Sequence, residues 1–314
     1  MHAESAAATN DLSWRAPLLA WNRFWFEPRQ GWHLGTTRIA IGCVALLQFA
    51  SYWFWAPQWL SAQGWFDLET GRYFIGEGLP DMGSEYRWSW LYRWSSPAAV
   101  YAACGLGTLA SAATLLGIGS RVAPALAWIA MMTLHHRAPW LATPSELLLA
   151  AGLFYLIVDT GRTQFSIRPA RSDASSSPRT SVTLATRCIQ VHFVLWLTLC
   201  IASMLQHDVW WNGTAVALLS ERGQNWIGAI PRSSWFGQCM TLAMLALPVL
   251  ALVCWSRPAS QAVGFAAIVA YAIAVAVFAG DLLYALALLA LATSLLPYSL
   301  KPTSGPNSAP PQTP

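Results

Sequence analysis

His192, Trp196, Ser203 and His207 recur at i, i+4, i+11 and i+15 inside an otherwise apolar stretch. On a helix they form one stripe roughly 22 Å long at about 1.5 Å per residue. Imidazole titrates near pH 6.5 when unperturbed, at about the value a general base needs, so His192 or His207 can take a proton, with Asp208 beside the latter. Trp196 and Ser203 on the same stripe are candidates for holding a cofactor. The competing reading of His192 is packing, because intramembrane polar groups hydrogen-bond neighbouring helices for about 0.6 kcal/mol.

A second constellation is His135, His136 and Arg137, followed by Glu146. Imidazole and carboxylate together suit acid–base chemistry, and Arg137 would hold an anionic group. Metal ligation is the weaker reading, because neither H-x-x-x-H nor H-E-x-x-H spacing occurs; interfacial anchoring is the stronger structural alternative. Arg187 and Gln190, one turn apart, read as a positive-inside anchor and an interhelical hydrogen-bond group.

These residues must be positioned by membrane-spanning helices. Only 10% of the chain is charged and 55% is hydrophobic, and the apolar residues come in long blocks, which excludes a soluble globular domain. The expected fold is an all-α, multi-pass transmembrane bundle of about eight spans. They are Thr36 to Trp55, Pro97 to Ile118, Val122 to Leu134, Ser145 to Val158, Ala185 to Leu205, Phe236 to Trp255, Ala262 to Ala279 and Leu282 to Leu296. The third and fourth are short of the roughly 20 residues of a straight span, so they are either extended by their flanks or form a re-entrant pair. No secretory signal is expected ahead of the first span.

With the N-terminus inside, twelve of the eighteen basic residues face the cytoplasm and nine of the fourteen acids face outward, as the positive-inside rule requires. Trp53, Trp55, Trp59, Trp65, Trp140, Trp210 and Trp235 gather at the outer boundary, as an interfacial belt or a cleft lining. The localisation expected is the cell membrane with both termini cytoplasmic. Membrane lipid is the expected partner, and nucleic acid is not. The six cysteines lie in or beside apolar spans without a C-x-x-C pair, as buried small hydrophobes.

Residues 1–35 form an N-terminal segment in which Trp14, Leu18, Trp21 and Trp25 mark a short helix, lying in the inner interface or packed on the bundle. Residues 36–300 form the transmembrane domain and 301–314 a disordered tail. Within the domain, 56–96 is an outer loop, a lid or a cap over helix ends, and 160–184 is an Arg/Ser-rich linker. Asn212-Gly213-Thr214 reads as a tight turn rather than a glycosylation site.

Four stretches carry a family resemblance: T-T-R-I-A-I-G at 36–42, L-L-G-I-G-S-R-V-A-P-A-L at 115–126, H-H-R-A-P-W-L-A-T-P-S-E-L-L-L at 135–149 running into F-Y-L-I-V-D-T-G-R-T-Q-F-S-I-R at 154–168, and R-C-I-Q at 187–190 followed by M-L-Q-H-D-V-W-W-N-G-T-A at 204–215. In this order the chain resembles the HTTM family. This is the membrane domain shared with vitamin K-dependent gamma-carboxylase and with bacterial proteins that mature a sporulation-delaying toxin. The resemblance implies a helical bundle with an outward-opening cavity; it leaves the cofactor open, with a quinone or vitamin K-like molecule as the candidate, and makes a secreted peptide a candidate substrate.

The reaction does not follow from the scaffold. The family's carboxylases use a lysine base in the helix before the W-x-x-G turn, and here that neighbourhood is Ala202, Ser203, Met204 and Leu205. The chain's one lysine is Lys301, beyond the last span. Arginine, with a pKa above about 12, cannot replace it. Two functions are therefore expected: maturation of a secreted peptide with a histidine base and a quinone or lipid partner, or non-catalytic binding of a lipid or a partner membrane protein, including assistance in transport.

Overall fold

A computed structural model describes residues 15–28, 31–67, 69, 89–161, 166, 178–221, 230–231 and 234–296. Trp14, the centre of the outer loop with Glu77, Asp81 and Glu85, most of the 160–184 linker, and the tail with Lys301 lie outside them. All eight expected segments are helical: α2 (Trp32–Leu60), α3 (Pro97–Leu116), α4 (Val122–Arg137), α5 (Pro144–Val158), α6 (Thr180–Leu205), α9 (Trp235–Trp255), α10 (Gln261–Ala274) and α11 (Leu282–Ala292). A short α1 (Arg15–Phe26) precedes them, and α7 (Asp208–Trp211) and α8 (Ala215–Glu221) lie between α6 and α9.

Five of these are long and apolar enough to cross a membrane: α2, α3, α6, α9, and α10 with its π-helical continuation Val275–Ala279. α5 and α11 are apolar but shorter. The long helices expose leucine and valine freely, with Leu109 at 73%, Leu199 at 66% and Val253 at 60%. Such faces would aggregate in water and need hydrocarbon as their solvent.

Local sequence sets the helix ends. Ser96 and Ser234 accept the backbone N–H groups of Ala99 and Gly237, and Asp281 accepts that of Tyr284, each an N-cap. Gly117 ends α3 at φ 71°, a left-handed conformation that side chains resist, and a Cβ there would stand 2.5 Å from Arg38 Nη1. Thus two of the sequence stretches behind the family resemblance, 36–42 and 115–126, meet at one point.

α11, composed mainly of leucine and alanine, lies at the centre and packs against α2, α5, α6 and α10. At one end of the bundle Arg38 is buried beside the Gly117 turn, Thr293 donates to Thr37 at 3.0 Å, and Gln190 donates to the Ser294 carbonyl. Arg187 donates to Gln190 Oε1 at 2.7 Å within α6, while the bond from Gln190 to Ser294 supplies the expected interhelical bonding. Arg187 also donates to the Phe24 carbonyl at 3.2 Å and lies over the Phe24 ring, which holds α1 on α6. The other side of α1 leaves Leu18, Trp21 and Phe26 exposed. Packing on the bundle and an apolar outer face therefore coexist in one helix, a pattern that suits a water–hydrocarbon boundary.

Candidate functional site

Gln48, Tyr52, Trp55 and Trp59 recur at i, i+4, i+7 and i+11 on α2 and so share one face. That face forms a wall of a cavity of about 750 Å³, which α4, the start of α5 and the turn between α10 and α11 complete with Leu134, His135, Thr143, Glu146, Gly280 and Leu283. Trp59 is held in place by Trp65 and Phe66, at centroid distances of 5.2 and 5.6 Å.

The polar groups converge where two helix ends meet. Pro144 opens α5, which places Glu146 in its first turn, and His135 occupies the last turn of α4. The macrodipoles therefore bring positive potential to the carboxylate and negative potential to the imidazole. His135 Nδ1 lies 3.9 Å from Glu146 Oε2. A hydrogen-bonded chain leads to the other carboxylate oxygen: the Thr143 and Ser145 hydroxyls are 2.6 Å apart, Ser145 donates to Gln48 Oε1 at 3.1 Å, and Gln48 Nε2 donates to Glu146 Oε1 at 3.4 Å. Bonds in such a chain polarise one another towards the negative end.

Arg137 is fully buried but does not line this cavity. It donates to the Phe66 carbonyl at 2.8 Å and lies 5.4 Å from the centre of the Tyr92 ring, which ties the segment after α2 to α4.

The stripe on α6 is divided among different neighbours. His192 is half-buried against α5, with Nδ1 3.3 Å from the Tyr155 hydroxyl and the two rings edge-to-face, and it lines no cavity described here. Trp196 and Ser203 line a second cavity of about 410 Å³ with Cys200, Trp210, Tyr271 and Tyr284. There Trp196 Nε1 donates to the Tyr284 hydroxyl at 3.0 Å, and Cys200 Sγ is 3.5 Å from that hydroxyl. His207 and Asp208 are exposed at the junction of α6 and α7, and line neither cavity. One helical stripe need not make one site, because α5 covers α6 at His192 while α10 and α11 cover it a turn or more further on.

Gln48, Tyr52, Ser145, Tyr271 and Tyr284 were not singled out from the sequence. Gln48 carried a usable signal, since an amide within an apolar span is costly unless it has a partner. Among the described residues, no three His, Cys, Asp or Glu side chains converge as a metal-ligand group.

No protein-family model, curated protein or solved structure matches this chain. The larger of the two cavities described above combines apolar walls with an imidazole and a carboxylate.

Proposed function

We propose that this chain is an eight-span HTTM-like protein of the cell membrane, with cytoplasmic termini, whose outward-facing cavity binds an amphiphilic ligand at the His135–Glu146 pair. The single observation that carries this reading is that pair at the polar end of a cavity walled by Tyr52, Trp55 and Trp59. An apolar body suits the rings, while convergent polar groups fix a head group. Eight crossings are supported by α4 and α5, which extend between the two ends of the bundle. α4 starts just beyond the Gly117 turn and ends where the Tyr92 hydroxyl donates to the His136 carbonyl. α5 starts at Pro144, with Glu146 in its first turn, and runs to Val158, beside Asp159, which accepts from Ser181.

In the enzymatic form of this reading His135 accepts a proton from the substrate and Glu146 stabilises the resulting imidazolium. The substrate class would be a secreted peptide, with a quinone or lipid as partner. Both Glu146 oxygens already face protein groups, which favours a second reading in which the same cavity binds a lipid or partner chain without chemistry.

The test is retention of small amphiphiles by the protein purified in maltoside micelles, read by mass spectrometry. Retention should persist in His192→Ala and disappear in Ser51→Trp, which fills the cavity from α2. Equal retention in Ser51→Trp at matched folded yield would overturn the proposal. Turnover of a retained compound, lost in His135→Ala, separates the enzymatic form from the binding form.

A further inference from the structure

We infer that this cavity selects a positively charged head group, an alkylammonium on an apolar body, held between the Glu146 carboxylate and the faces of Tyr52, Trp55 and Trp59. The inference rests on the cavity reading above and adds the sign of the ligand's charge.

Among the described residues that line the cavity, Glu146 is the one Asp, Glu, Lys or Arg. The nearest arginine in sequence, Arg137, directs its guanidinium to the Phe66 carbonyl and the Tyr92 ring, outside the lining. His135 also faces the carboxylate, but at 3.9 Å it lies beyond hydrogen-bond distance. The Thr143–Ser145–Gln48 chain, by contrast, reaches the carboxylate through hydrogen bonds that leave no cationic partner on it.

A carboxylate in a low-dielectric wall favours a counter-ion entering with the ligand. Indole and phenol faces attract the same sign of charge through their quadrupoles. Trp65 and Phe66 pack against Trp59, so that ring need not be ordered on binding. A neutral ligand would leave the carboxylate without a counter-charge, and an anion would meet both a like charge and the negative ring faces.

The test uses the full chain in maltoside micelles and three probes of similar shape, titrated by calorimetry: choline, its uncharged carbon isostere neohexyl alcohol, and the anion tert-butylacetate. Choline should bind about ten-fold or more tightly than the alcohol, and tert-butylacetate should not bind. Trp55→Ala, at an exposed position on the cavity's rim, and Glu146→Gln should each weaken choline by about ten-fold and the alcohol by distinctly less, so that the ratio of the two affinities falls. Glu146→Asp keeps the charge and should retain most of the selectivity, which guards against misreading a misfolded Gln variant.

Loss of free choline binding in phosphatidylcholine nanodiscs, with retention in micelles, identifies the lipid head group as the native source. Retention in both identifies a free cation. If the alcohol binds as well as choline, the charge inference falls while the cavity reading survives. If no probe binds and no amphiphile is retained, both fall.

Discussion

Glu146 at the start of α5 and His135 at the end of α4 face each other with Oε2 and Nδ1 3.9 Å apart, although eleven positions separate them in the chain. The gap is too wide for a hydrogen bond between them. A ligand atom can therefore engage either group without first breaking a bond between them.

The Gln48–Glu146 contact at 3.4 Å is long for a hydrogen bond but joins two buried groups on different helices. A double-mutant cycle of Gln48→Leu and Glu146→Gln, read by thermal unfolding in micelles, should give a coupling of about 0.6 kcal/mol. Strict additivity would remove α2 from the polar network.

Gly117 and Gly119 both adopt positive φ, at 71° and 81°, yet their surroundings differ. A Cβ at Gly117 would meet Arg38 Nη1 at 2.5 Å, whereas at Gly119 the nearest atom is the Ala123 Cβ at 3.4 Å. Gly119→Ala should cost about 1–2 kcal/mol from backbone strain alone, and Gly117→Ala clearly more. Equal losses of thermal stability would mean that the Arg38 contact yields without penalty.

The Trp196 indole donates to Tyr284 inside the second cavity. Tyr284→Phe removes the acceptor and should destabilise by about 1–3 kcal/mol, because it leaves a part-buried donor unsatisfied. Trp196→Phe together with Tyr284→Phe should cost less than the two separate losses combined. A full sum in unfolding measurements would show that the two groups act independently.

The helices and their order were legible because blocks of apolar residues are diagnostic at this length, and the caps Ser96, Ser234 and Asp281 stand at the observed starts. His135 and Glu146 were legible as polar groups at the ends of two neighbouring helices. Their pairing with Gln48 was not, since 98 positions separate Gln48 from Glu146 and only the approach of α2 to α5 joins them. The division of the α6 stripe among different neighbours was hidden for the same physical reason. Periodicity reports which residues share a face, while the packing of other helices decides what that face meets.

His192 and His135 make opposite predictions, although both are histidines on apolar helices. His192 bonds Tyr155 between α5 and α6, so His192→Ala should lower thermal stability and leave amphiphile retention intact. His135→Ala should leave stability nearly unchanged, and it should remove any turnover. The reverse pattern would return the functional role to the α6 stripe.

The topology of α4 and α5 separates a crossing pair from a re-entrant one. With the six free cysteines replaced, single cysteines at Gly119, Leu141 and Ser256 can be probed with a membrane-impermeant maleimide in intact cells. Gly119 lies in the turn before α4, Leu141 in the turn between α4 and α5, and Ser256 just after α9. If all eight helices cross, Leu141→Cys is labelled from outside, while Gly119→Cys and Ser256→Cys react only after permeabilisation. A re-entrant pair would leave Leu141→Cys unlabelled from outside. The cavity bounded by α2, α4 and α5 would then not open outward, and the ligand would have to enter from the bilayer.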